Sequence, residues 1–184
     1  MRIVHISTLY HPFIGGIEIA VQRVAEEQAK LGHEVYVITS DAHAEIMPRV
    51  EVRNDVTILR IKSWKFRYPY LIIQKFIPTK TLSEADIIHG WGHTYYFVYK
   101  MIKYAKTILE KPVVLYFIGV DYLKRHYNYV IKVLGYPYQR ILTKRLIKLI
   151  DLALVTNEYD KHVLKECYGI EPIIIPHGVN KLYI

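Results

Sequence analysis

The 184-residue chain contains one cysteine, Cys167. A single thiol excludes an internal disulfide and any multi-cysteine metal site. Its place late in a helical pattern reads as a small core residue. No run of eighteen apolar residues occurs, which excludes a membrane-spanning helix. The amino terminus has one arginine ahead of a strand-like run and no small-residue cleavage site. No signal peptide is expected there, and the protein is predicted to be cytoplasmic. Also missing are a G-x-x-x-x-G-K-S/T phosphate loop, a G-x-S-x-G nucleophile elbow and an H-E-x-x-H zinc motif. Their absence argues against NTP hydrolysis, acyl transfer and zinc chemistry. No helix-turn-helix, RRM or finger pattern is present, so nucleic acid is not an expected partner.

Acidic residues are absent where basic ones gather. Val56 to Ser83 holds six Lys/Arg and no acid, and Tyr122 to Ile150 holds seven and no acid, within a net charge of +8. Such clusters point to an anionic partner or surface, and a basic helix with aromatic and aliphatic neighbours fits a membrane surface. The plainer reading is a lysine-rich solvated surface.

What is present is an alternation of strand and helix signals. Arg2 to Ser7 is a near-continuous apolar run, as a strand buried on both faces requires. A loop follows, ending in Gly15-Gly16. Ile17, Ala20, Val21, Val24, Ala25, Gln28 and Leu31 then recur at helical spacing, with Gly32 as the stop. His33 to Ser40 is the next strand, which closes a βαβ unit. Residues 41–55 read as irregular, and Val56 to Ile61 as a strand. Trp64 to Thr81 gives no clean signal beyond a short helix around Tyr70–Phe76. Asp86 to Gly90, Val113 to Phe117, Asp151 to Val155 and Pro172 to Pro176 read as further strands. Between them lie a helix capped by Thr94 with Val98, Met101, Ile102, Ala105, Ile108 and Leu109 inward, and a helix from Pro137 to Ile150 with Tyr138, Ile141, Leu142, Leu146, Leu149 and Ile150 inward. A third helix starts at Asn157 and ends at Gly169. The pattern predicts an α/β fold of one domain over 1–184: a Rossmann-like three-layer sandwich with an open, mostly parallel sheet.

In such sheets ligands sit at the carboxyl ends of the strands. The loops after the strands then share one edge, and they bring together Gly15-Gly16, His89 to His93, Gly119 to Tyr122, and His177-Gly178. A glycine pair opening a helix presents free N–H groups and the positive end of the helix dipole, which suits a phosphate. Glu18 lies in that first turn. The pair is not a dinucleotide fingerprint, because the loop of residues 8–14 separates it from the strand. A plain structural turn is the competing reading for the glycines, and no metal site is expected from His89, His93 and His177.

The ordered set of motifs resembles the N-terminal domain of GT-B-fold glycosyltransferases of family 4. His11-Pro-x-x-Gly15-Gly16-x-Glu18 is followed by Leu31-Gly-His-Glu-Val35. Then come Ala85-Asp-Ile-Ile-His89, Pro112-Val-Val-Leu-Tyr-Phe-Ile-Gly-Val-Asp121, Asp151-Leu-Ala-Leu-Val-Thr-Asn-Glu158 and Ile173-Ile-Ile-Pro-His-Gly-Val-Asn180. The resemblance covers nearly the whole chain. It implies two Rossmann-like domains facing a cleft and transfer of a sugar from a nucleotide-sugar donor to a lipid, glycan or small-molecule acceptor. It implies no cofactor beyond that donor. The chain would be the acceptor-side domain, with the C-terminal donor-binding domain absent and supplied as a further domain or a complementing subunit.

The resemblance assigns donor-phosphate or acceptor binding to Gly15, Gly16, Glu18, His89, Gly119 and His177, and an acid–base or polarising role to His93 or Asp121. Peripheral membrane contact would suit relatives that act on lipid acceptors. The sequence departs from the pattern where the family's histidine before Gly119 is Ile118. That departure and the missing half predict no efficient transfer by this chain alone. Two alternatives stay open: a non-catalytic carbohydrate- or lipid-binding module, and one subunit of a split enzyme.

Overall fold

A computed structural model describes residues 1–66 and 71–177. The strands are β1 (Arg2–Ser7), β2 (Glu34–Ser40), β3 (Val50–Arg53), β4 (Val56–Ile61), β5 (Ser63–Phe66), β6 (Leu71–Gln74), β7 (Ile87–Trp91), β8 (Val113–Phe117), β9 (Leu152–Val155) and β10 (Ile173–Ile174). The helices are α1 (Gly16–Lys30), α2 (Thr79–Ser83), α3 (Tyr96–Thr107), α4 (Tyr136–Ile147) and α5 (Glu158–Tyr168). Among the described residues eight strands form one sheet in the order β10-β9-β8-β7-β1-β2-β4-β3. All neighbours are parallel except β3 against β4. The predicted α/β, mostly parallel architecture is therefore present.

The chain builds outward from β1 in one direction and then returns to build from β7 in the other. Right-handed crossovers place α1 on one face of the sheet and α3, α4 and α5 on the opposite face. Two cores result. Val4, Ile6, Ile88, Met101, Ile102, Leu115, Phe117 and Leu146 pack on the three-helix side. Val21, Ala25, Val35, Val37, Ile58, Trp91 and Tyr116 pack on the α1 side. The alternation of Val4 and Ile6 with Ile3 and His5 along β1 is the period-two signature of a strand buried on both faces.

Several expectations are met and several are corrected. Asn157 caps α5, its Oδ1 accepting from Asp160 N at 2.8 Å, and Gly169 ends the helix at φ 70°. Residues 41–55 are not irregular throughout. Val50–Arg53 is a strand paired with β4 through a tight turn in which Asn54 and Asp55 have φ of 49° and 61°. Two consecutive left-handed residues match the twist of the strands they join. The short helix expected around Tyr70–Phe76 is also overturned where it is described. Leu71–Gln74 pairs antiparallel with Ser63–Phe66, Trp64 opposite Ile73, and residues 67–70 lie outside the described residues. Ile72 and Ile73 are β-branched, stiff at χ1, and favour the pleated surface over a helix.

Thr94 does not cap α3; Tyr95 holds that position with no side-chain bond. The helical path leading into α4 starts earlier than Pro137: Asn128 Oδ1 accepts from the N–H groups of Val130 and Ile131, and a π-helical turn, Ile131–Gly135, runs straight into Tyr136. Ile141 and Ile108, both expected inward, are 54% and 63% exposed; Gln139 and Thr143 fill inward places on α4 instead. Cys167, read as a core residue, is exposed and lines a depression between α4 and α5.

Candidate functional site at the carboxyl edge of the sheet

The order of strands reverses between β1 and β7, and the loops leaving their carboxyl ends diverge there. Such a switch point opens a crevice at the strand ends. From β1 the chain runs through Thr8, whose carbonyl accepts from Ser40 N and Ser40 Oγ at 3.2 and 2.6 Å, which ties the loop to β2. Arg60 of β4 pins the next stretch. Its buried guanidinium donates from Nη2 to the His11 carbonyl at 3.0 Å and from Nη1 to the Pro48 carbonyl at 2.9 Å, and pairs with Glu51 at 2.7 Å. The loop then delivers Gly15 as the extended N-cap of α1, with no side-chain cap. The open N–H groups of the first turn therefore face this edge, as expected for an anion site.

Glu18 occupies part of that position. An added Cβ at Gly15 would lie 2.3 Å from Glu18 Oε2, so the carboxylate is folded over the glycine. Burial raises its pKa, partly offset by a bond from its own backbone N–H. A carboxylate thus stands at a helix N-terminus, where negative charge is favoured. At Gly16 an added Cβ would meet nothing within 4 Å.

The loop after β8 is held from beneath. Asp160, in the first turn of α5 and 2% exposed, accepts from Gly119 N at 3.1 Å and Val120 N at 3.0 Å. The Gly119 N–H is therefore engaged within the protein and is not presented to a ligand. Gln139 of α4 donates from Nε2 to the Val120 carbonyl at 2.7 Å and lies 2.8 Å from His93 Nε2. With the amide as donor, His93 Nε2 accepts and its proton resides on Nδ1, which has no partner. His93 is fully buried, and burial drops its pKa to about 4. It lies under the loop and supports it; no face of the ring is open to the crevice. Asp121, next along, is 9% exposed at the edge, beside the exposed ring of Tyr122.

His89 is not in the loop. It sits at the middle of β7, level with His5 of β1, on the α1 face. There it belongs to a ladder of rings. His89 stacks on Trp91 at 4.6 Å, Trp91 stacks on Tyr116 at 4.9 Å with the planes 2° apart, and Tyr116 stacks on His177 at 5.4 Å. Tyr116 Oη donates to the Ile175 carbonyl, which ties the ladder to the end of β10. Trp91 Nε1 donates to His5 Nδ1 at 3.0 Å, and His5 Nε2 bonds Gln28 Oε1 of α1 at 2.7 Å. These bonds fix His5 as the neutral Nε2–H tautomer. Burial lowers its pKa to about 4, and burial together with the neighbouring His5 holds His89 well below the ordinary value. His89 Nε2 is shielded from solvent and has no partner. His177 is exposed, at the far end of the ladder.

The edge thus gathers Gly15, Gly16, Glu18, Asp121 and His177, places His93 and Gly119 in the scaffold behind, and leaves His89 at mid-strand. Among the described residues no three His, Cys, Asp or Glu side chains converge as a metal would require. A family model, Glycosyltransferase Family 4, matches residues 14–181. The chain belongs to that family. A curated relative, the alpha-monoglucosyldiacylglycerol synthase of Acholeplasma laidlawii, is 31% identical over 97 residues, 48% of this chain and 23% of that enzyme. A solved structure of sucrose-phosphate synthase from Thermosynechococcus elongatus superposes with a TM-score of 0.69 at 16% identity, covering 97% of this chain and 48% of that one. A shorter structure of the same synthase gives 0.58 at 14% identity, with 98% and 90% covered. The family 4 chain described here therefore spans about a quarter of the curated relative and about half of the longer structure.

Asp160, Gln139, His5, Trp91 and Tyr116 were not singled out by sequence reasoning. For the rings the sequence shows only aromatic and histidine residues within three separate strands; their common face follows from the register of β1, β7 and β8. For Asp160 only an acid just after a helix cap was visible, which reads as a dipole partner.

Proposed function

We propose that this family 4 chain supplies the acceptor-side half of a sugar transferase that uses a nucleotide-sugar donor. The observation that carries the reading is the uncapped N-terminus of α1 at Gly15-Gly16, opening at the β1/β7 switch point. In this reading the acceptor hydroxyl is held in the crevice near the donor's anomeric carbon, and proximity supplies much of the acceleration. As the bond to the departing nucleoside diphosphate breaks, the N–H groups of the first turn stabilise the growing phosphate charge. Glu18 vacates its place over Gly15 to admit the phosphate, helped by a pKa already raised toward protonation. Asp121 orients or deprotonates the acceptor, while His93 and Gly119 keep the loop after β8 in place. No cofactor beyond the donor is invoked. The name of the Acholeplasma relative makes a lipid hydroxyl the first acceptor to try. The donor-binding half, on the same polypeptide or another, completes the cleft.

The test is transfer measured on the chain alone and with a donor-binding half supplied, against a panel of nucleotide sugars. The expected result is no ready turnover alone and transfer on complementation. In the complemented enzyme Gly15→Ala, whose methyl would stand in the space that Glu18 vacates for the phosphate, should lower kcat/KM by about tenfold or more. Ready turnover by the isolated chain would overturn the assignment. A non-catalytic glycan- or lipid-binding role is the second reading. It is favoured by Ile118 in place of the family histidine and by the Gly119 and Val120 N–H groups already bound to Asp160.

A further inference from the structure

The segment after β8 carries an outward face that the fold does not use. The helical stretch entered at Asn128 points Gly135, Gln139, Leu142, Thr143 and Leu146 inward. Its other side shows Val130 (54% exposed), Val133 (47%), Leu134 (59%) and Ile141 (54%), with Pro137 exposed between them. These positions recur at three to four residues, so they form one stripe. Tyr127 and Tyr129, 93% and 75% exposed, extend it at the amino end, and Tyr122 stands beside Asp121. At the other end Lys144, Arg145 and Lys148 line a depression of about 350 Å³ between α4 and α5. Lys124 and Lys132 flank the apolar residues, and no acid occurs from Tyr122 to Ile150.

We infer that this face is a docking surface for an anionic lipid bilayer. The helix would lie flat in the headgroup layer, its apolar stripe in the acyl boundary and its lysines and arginines on lipid phosphates. An apolar stripe with aromatic residues and a basic flank is the composition that binds at that depth, and each basic residue near an anionic surface strengthens binding by about fivefold. The charge argues against a second copy of the chain. A twofold interface would set this face against itself and bring two sets of like charges together. The segment starts at the carboxyl end of β8, two strands from β1, so docking would hold the crevice mouth against the membrane. The inference stands on the exposed face alone and does not require sugar transfer.

The test is flotation of the chain with vesicles of phosphatidylcholine, with and without phosphatidylglycerol. Binding to the anionic vesicles should exceed that to neutral ones at least tenfold. Val133→Ser with Leu134→Ser, which removes apolar contact at constant charge, should reduce it about tenfold. A Tyr127→Trp variant should show a blue-shifted emission increment on anionic vesicles. Equal binding of wild type and the serine variant, or no preference for anionic vesicles, would overturn the assignment. So would sedimentation showing a lipid-free dimer that the serine substitutions dissolve, since it would give the face to a second copy. Because all substituted residues are exposed, circular dichroism of the variants should match wild type.

Discussion

The two faces of the sheet hold the same strands by different means. On the three-helix side Ile6, Ile88, Met101, Ile102, Leu115 and Phe117 are fully buried aliphatic and aromatic side chains. On the α1 side the equivalent layer over β1, β7 and β8 is His5, His89, Trp91 and Tyr116, joined by stacking and by one chain of hydrogen bonds. The first layer draws its stability from area removed from water and from close packing. The second adds ring stacking and hydrogen bonds that require two imidazoles to stay neutral. Titration of those two rings makes the α1-side layer sensitive to pH, which the aliphatic layer opposite it is not.

The sharpest way to break the dry face is Leu115→Ala, expected to cost about 3 kcal/mol by urea denaturation at pH 7, with little dependence on pH. The α1 face is tested by pH itself. A histidine whose folded pKa is depressed contributes nothing against the unfolded chain while both are neutral. As pH falls below 6.5 the unfolded chain takes up the proton and the folded one resists, so stability declines until the folded pKa near 4 is reached. For His5 this amounts to roughly 3 kcal/mol between pH 6.5 and 4, and buried His93 adds a similar loss. His89→Phe keeps a ring in the ladder and removes one of the titrating groups, so the unfolding free energy of that variant should fall less steeply over this window. An unchanged slope would show that His89 is not held neutral by the fold.

A smaller effect separates the scaffold from the crevice. Asp160→Ala leaves the Gly119 and Val120 N–H groups without their acceptor and should cost about 2 kcal/mol. Amide exchange at those two positions should accelerate well beyond that of β8. Smaller still is Asn157→Ala, which removes the α5 cap for about 1 kcal/mol. Its neighbour Asp160 should then hold the loop with unchanged amide protection if the two act separately.

The difference between the faces also explains what could be read from the chain. Strand and helix order was legible because it is local: Gly32 and Gly169 stop helices, Asn157 caps one, and the apolar runs mark buried strands. The glycine pair at the carboxyl edge was legible for the same reason. The ring ladder was not, because it depends on register. His5 meets His89 and Trp91 meets Tyr116 only once β1, β7 and β8 are aligned. Asp160 reaches Gly119 and Val120 across about forty residues of sequence, and nothing in the spacing marks that bond. The strand at Val50–Arg53 is only four residues long and largely exposed, so it has no apolar run to mark it, and its pairing with β4 rests on the Asn54-Asp55 turn. Ile141 was placed inside by helical spacing alone, which cannot tell a helix with one apolar side from a helix with two.

The two ends of the sheet carry a consequence for assembly. One rim is β3, four residues long and bearing Glu51 and Arg53; the other is β10, two residues long between Pro172 and Pro176. Short, charged or proline-flanked edges are poor templates for adding a strand. Both rims of the described sheet therefore resist strand addition, and any further domain or chain docking here would meet surfaces other than the sheet's edges.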